Sequence, residues 1–343
     1  MARHGAEPIA RGWNRRLHEF GGYGGAILSV DGRVEIIRTT ISDNIVDEAF
    51  GGGGLALVGG SGVIRDSIFS GNQVIGEGVV FGPGIFVVAG TLSIYGSTIV
   101  GNLGSGNQGV PGGELAQAGG IYNAGTVTMA NSAVVGNFAG SSFDEGQGGG
   151  INNGPNGVMT IKNGTVGGNS AGLAGGGIYN LGILRLQGVT VSGNAASAGY
   201  EAHFPTSGGG VWNGPSATFS TAGSLIAGNT AGSTETPGVN PDCTGTLISQ
   251  GHNAVGNGSG CKLKGTNTHD LINVNPRLAV LADDGTAGNA HYPLRAVSPL
   301  IDAGDVVGPR CTLEDQLGQR RLDGDHEGNV LCDIGAIEFK PSP

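Results

Sequence analysis

GGIYN at Gly119 to Asn123, GGINN at Gly149 to Asn153, GGIYN at Gly176 to Asn180 and GGVWN at Gly209 to Asn213 repeat one phrase: a glycine pair, an apolar residue, often an aromatic, then asparagine. A second phrase falls between the copies, a short apolar run closed by a Gly-Asn turn. It reads STIVGN to Asn102, SAVVGN to Asn137, GTVGGN to Asn169, VTVSGN to Asn194 and SLIAGN to Asn229, with weaker forms ending at Asn44 and Asn72. Seven units therefore recur at spacings of 25 to 35 residues. Repeats of that period signal stacked coils, because one short unit cannot bury its apolar face alone.

Within each unit the apolar residues alternate with small or polar ones, as in TVTMANSAVV (Thr126 to Val135) and ILRLQGVTV (Ile183 to Val191), and no unit carries helical periodicity. Wrapping such a chain into a parallel β-helix pairs every strand with its copies in the neighbouring coils. Each coil adds about 4.8 Å of axis, so seven give roughly 34 Å. The unequal unit lengths argue against a fixed-repeat calcium β-roll and suit a right-handed, pectin-lyase-like solenoid of the all-β class. The 71 glycines in 343 residues far exceed the usual share of about 7%, yet they come with apolar alternation, which assigns them to corners and close backbone contacts. The expected organisation is an irregular or capping segment over 1–20, the solenoid over 21–241, and final coils with a distinct module over 242–343. The N-terminal segment also reads as the interior of a longer precursor.

Asn123, Asn153, Asn180 and Asn213 hold equivalent places in successive units, so their amides are expected to stack as a ladder that satisfies buried backbone groups. Strand alternation then turns Tyr122, Asn152, Tyr179 and Trp212 outward as a stripe. Two readings of Tyr122, Tyr179 and Trp212 stand: platforms on which sugar rings stack, or area packed beneath a neighbouring loop.

The formal charge is −10 with four lysines, which removes the electrostatic footprint a nucleic-acid partner needs. No apolar run is long enough to span a bilayer, and the first residues lack the apolar region of a signal peptide. The expected state is a monomer. Cys243, Cys261, Cys311 and Cys332 are separated by 18 and 21 residues within their sequential pairs. Three disulfide pairings are open and the sequential one is simplest; zinc is disfavoured by the spacing, and disulfides indicate an oxidising compartment.

From Pro241 the phrases change. PDCTGTLISQGHNAVGNGSGC (Pro241 to Cys261), NPRL at Asn275, LADDGTAG at Leu281, SPLIDAGD (Ser298 to Asp305), EDQLGQRRLDGD (Glu314 to Asp325) and CDIGAIEF (Cys332 to Phe339) resemble, in order and spacing, the C-terminal module of bacterial β-helix surface proteins of the choice-of-anchor Q type. The glycine-rich repeats resemble the passengers of the same proteins and, more distantly, of chlamydial polymorphic membrane proteins. The resemblance implies an exported, extracellular or cell-surface β-helix, in a family whose members usually have no assigned activity.

Within that module Asp323, Asp325 and Glu327 alternate ahead of Gly328, like the start of a calcium loop. The twelfth position is Ile334, so a calcium site there would borrow a ligand such as Glu338 or Asp302 and would be structural; an unliganded acidic turn is the equal alternative. No nucleophile elbow, P-loop or metal-spaced histidine cluster occurs. One site-like clue is the short loop 170–174 between the longer loops 138–147 and 195–207, a notch flanked by Asp144 and Glu145 on one wall and Glu201 and His203 on the other. Paired carboxylates across a groove are what glycoside cleavage uses. The leading expectation is a surface protein for display, adhesion or carbohydrate binding; the alternatives are a polysaccharide lyase or glycoside hydrolase acting in the notch, and a structural spacer.

Overall fold

A computed structural model describes residues 9–11, 23–47, 50–76, 78–106, 116–140, 146–197, 206–232, 238–308, 310–321 and 331–340. They contain no helix. The named strands pair in parallel, each with its counterpart one coil away, which makes the chain a parallel β-helix. The long strands Leu55–Arg65, Ile85–Tyr95, Thr126–Val135, Val158–Gly167 and Ile183–Ser192 lie side by side. Two further coils follow the seventh unit, built on Cys243–Ser249 and Cys261–Gly265.

Alternation supplies the core. Leu55, Ile85, Ile121, Ile151, Ile178, Val211 and Cys243 are successive register partners, all turned inward and buried. Burying each large side chain contributes about 1.5–3 kcal/mol, and the column repeats that gain at every coil. The disulfide Cys243–Cys261 sits at the C-terminal end of this column, and Cys311–Cys332 closes a loop in the terminal module. Both are the sequential pairs. Strand Cys261–Gly265 pairs on one side only and exposes Lys262 and Lys264, charges that oppose further edge pairing.

The second phrase builds the longer of two amide ladders. Each asparagine donates from Nδ2 to Oδ1 of the next, from Asn44 through Asn72, Asn102, Asn137, Asn169 and Asn194 to Asn229, over 2.8 to 2.9 Å. The same Oδ1 also accepts the backbone N–H of the preceding ladder residue, as Asn169 does from Asn137 at 2.9 Å. Asn123, Asn153, Asn180 and Asn213 form the second ladder, with Nδ2 to Oδ1 distances of 2.8, 2.8 and 2.6 Å. The two phrases interlock. A Cβ added at Gly150 would stand 2.8 Å from Nδ2 of Asn169, and one at Gly149 would stand 2.2 Å from the carbonyl of Ser170. The glycine pair is therefore the space into which the asparagine ladder fits.

The longer ladder stops at an aspartate. Asp242 Oδ1 accepts from both Nδ2 and the backbone N–H of Asn229 at 2.9 Å, and its Oδ2 accepts the N–H of Asn257 at 2.6 Å. Asp242 follows Pro241 where earlier coils carry the second glycine of the pair, so its side chain occupies the room an asparagine amide fills elsewhere. Every amide donates toward the C-terminal coil, so donors converge there and a group that only accepts completes the row. A shorter row behaves alike: Ser224 donates its N–H to Asn253, and Asn253 donates to Asp270 Oδ1 from its N–H at 2.8 Å and its Nδ2 at 3.1 Å.

After Ile272 the chain turns back along the outside of the solenoid, reaches the coil of Thr98 at Gly288, returns antiparallel to itself with Ala282 opposite His291 and Leu278 opposite Leu294, and then crosses the outer surface again. This strap meets His252 through the carbonyl of Ala303, Gly223 through the N–H of Gly335, Thr190 through the N–H of Ala336, Thr165 through Gln316, and Thr98 through the N–H of Gly288. Leu294, Leu300 and Ile334 pack on Leu225, Ala227 and Ala254, and Ala290 packs on Ala133 and Val135. Buried Gln316 carries much of the polar contact, binding Thr165 at 2.6 Å and the carbonyls of Gly288 and Ala290 at 2.9 and 2.8 Å. Gly167 and Gly193 leave room for Tyr292: Cβ atoms there would lie 2.6 Å from its ring and 2.4 Å from its hydroxyl.

Candidate functional site

The outward stripe lies beside the glycine corner, where residues on either side of the bend approach one another. Phe81 and Phe86 stack with ring centroids 5.2 Å apart, and Tyr122 meets them edge-on at 4.7 and 5.4 Å. Tyr23 continues the column toward the first coil, 5.8 Å from Phe86 and 6.1 Å from Phe50. On the other side of Asn152, Tyr179 lies flat against Trp212 at 4.3 Å with 4° between planes. Phe86, Tyr122, Asn152, Tyr179 and Trp212 are successive register partners, followed by Thr244. Burial pushes the hydroxyls of Tyr122 and Tyr179 up from the ordinary phenol value.

The column has two kinds of position. Tyr179 is 8% exposed and contributes mainly packing, whereas Tyr122 and Trp212 are half-buried and Phe50 is 50% exposed. Among the described residues no ring continues the stack beyond Trp212, where Thr244 is the register partner. Asn152 is fully buried, and neither Oδ1 nor Nδ2 has a hydrogen-bond partner. A buried amide left unpaired costs about 1–3 kcal/mol, so packing alone does not account for Asn152.

Asp144, Glu145, Glu201 and His203 of the notch lie outside the described residues, as do Asp323, Asp325 and Glu327 of the acidic turn. The two residues read as borrowed ligands do come together with a third: carboxylate oxygens of Asp302, Asp333 and Glu338 lie within 4.8 Å of one another. Oxygen donors of this kind suit a hard cation. The strap also places a cation of its own there, since buried Arg321 donates from Nη1 to Glu338 Oε2 at 2.8 Å. Asp333 accepts from the N–H groups of Asp302 and Phe339, and burial, then the Glu338 carboxylate, pushes its carboxyl up to about 7. The arrangement ties residues 302, 321, 333 and 338 of the strap to one another.

Two features of the sequence gain meaning only here. They are Asp242, whose carboxylate ends the ladder, and Gly167 of GTVGGN, against which the ring of Tyr292 sits. Among the described residues no helix is long and apolar enough to cross a membrane. The two disulfides fit an oxidising, non-cytoplasmic compartment. No family model, curated protein or solved structure matches the chain, so the resemblance to choice-of-anchor Q proteins rests on the motifs quoted above.

Proposed function

We propose that the protein is an extracellular or cell-surface β-helix that binds a neutral glycan along its aromatic corner without cleaving it. The observation that carries this reading is the half-buried ring of Trp212, which ends an aromatic column with no further ring stacked beyond it among the described residues. An aromatic face beside small residues offers the apolar surface that the C–H face of a sugar packs on. Partly exposed Gln117 and Gln147, across the glycine corner from Tyr122 and Asn152, add polar groups for hydroxyls. The charge of −10 disfavours acidic polysaccharides, which leaves neutral chains as the ligand class.

The test is retention of the purified protein on a panel of neutral and acidic polysaccharides, with product analysis for new reducing ends. Binding to neutral chains that falls at least tenfold in Trp212→Ala, with no new ends, is the expected result. Cleavage products would replace this reading with a hydrolase or lyase; equal retention of wild type and variant would remove the aromatic corner from it.

A further inference from the structure

At one left-handed corner of each coil the backbone needs positive φ, and the residues that supply it are Arg38 (φ 49°), Asp66 (50°), Gly96 (53°), Asn131 (49°), Asn163 (43°), Gly188 (59°) and Gly223 (57°). Apart from Arg38, these are the residue types that tolerate that region most readily. In the last two coils the same corner is held by His252 (φ 55°) and His269 (φ 57°). The equivalence follows from the hydrogen bonds: Asp66 N–H reaches the carbonyl before Gly96, Gly223 N–H reaches the carbonyl before His252, and His252 N–H reaches the carbonyl before His269. Stacking brings the two imidazoles together with centroids 4.8 Å apart and planes inclined by 33°.

The strap fixes the chemistry of one ring. His252 Nδ1 lies 3.1 Å from the carbonyl oxygen of Ala303, an atom that can only accept. Nδ1 therefore carries the proton, and in the neutral ring Nε2 keeps its lone pair. A backbone carbonyl holding Nδ1–H is the usual outer contact of a metal-binding histidine, because it sets both tautomer and ring orientation. His269 is exposed at the surface, so its ring is free to turn toward a shared ion.

We infer that His252 and His269 form a two-imidazole site for a borderline divalent transition ion such as zinc or nickel. Neutral imidazole suits these ions and not calcium or magnesium. A tetrahedral ion with bonds of about 2.0–2.1 Å takes two nitrogens and leaves two positions for water or an outside ligand. Because His252 is tied to Ala303, the ion would join the last two coils to the returning strap. The inference is independent of glycan binding, since the imidazoles stand at a different corner from Trp212.

The experiment is calorimetric titration of the full chain with zinc chloride and with nickel chloride, repeated on His269→Ala and on His252→Asn. Asparagine already serves this corner at positions 131 and 163, so His252→Asn keeps the backbone geometry, and circular dichroism checks both variants. The expected result is one bound ion per chain, weakened at least tenfold in each variant, with X-ray absorption giving two imidazole nitrogens at about 2.0–2.1 Å. Absence of binding at millimolar metal, or binding unchanged in either variant, overturns the inference.

Discussion

Removing one amide from the middle of the longer ladder should cost far more than an ordinary surface change. Asn169 is fully buried and makes four hydrogen bonds through its side chain: Oδ1 accepts from the N–H and Nδ2 of Asn137, and Nδ2 donates to Val134 O and Asn194 Oδ1, all at 2.9 Å. In Asn169→Ala the N–H of Asn137 loses its side-chain acceptor, whereas Asn137 Nδ2 keeps Ile99 O and Val135 O, and Asn194 Oδ1 keeps the N–H of residue 169. One orphaned buried donor costs about 1–3 kcal/mol and each of the other three bonds about 0.5–1.5, giving a loss of about 5 kcal/mol. The control is Asn156→Ala at an exposed turn, where a change within about 0.5 kcal/mol is expected. Urea unfolding followed by far-ultraviolet circular dichroism measures both. Amide exchange should show lost protection centred on residues 137 to 194, because a solenoid couples chiefly to its neighbours. A loss for Asn169→Ala within about 1 kcal/mol of the control would refute the view that the ladder holds the coils in register.

Reduction of the disulfides, which close separations of 18 and 21 residues, should remove about 3 kcal/mol each and lower the melting temperature in dithiothreitol. The folded state raises the Asp333 carboxyl to about 7 from 3.8, so the native chain holds a proton that the unfolded chain has released between those values. Stability should therefore fall as pH rises through that window, by up to about 1.4 kcal/mol per unit, and level off above it. Melting at pH 5 and 7.5 tests this, and Asp333→Asn should flatten the difference. Gly167→Val puts into the seat of Tyr292 the residue found at its register partner Val135, and should cost about 1–3 kcal/mol. Faster proteolysis within the strap than within the coils would locate that damage.

The coils were legible because each unit had to solve the same problem with the same residues. The inward column from Leu55 to Cys243 follows from alternation, and the ladder from Asn123 to Asn213 from the identical place of asparagine in each glycine phrase. The longer ladder was hidden because Gly-Asn is also a common turn, and nothing local distinguishes an exposed turn amide from a stacked one. The strap left a fainter trace still. Its contacts join residues such as Thr165 and Gln316, 151 positions apart, and no periodicity encodes a pairing made once. Histidines 252 and 269 fit no metal-binding spacing; only the pitch of the coil makes them neighbours.

The aspartate that closes the longer ladder bears on how such a chain can lengthen over evolutionary time. Each inner asparagine receives from below and gives above, so a duplicated coil inserted between Asn72 and Asn194 would find both partners waiting and need no new chemistry. Beyond Asp242 the same insertion would set a buried carboxylate against an amide oxygen, with no proton to share between them. Asp242 thus acts as punctuation: gene duplication can extend the sentence before it but not after it, and variants that differ in coil number should keep this ending and vary upstream.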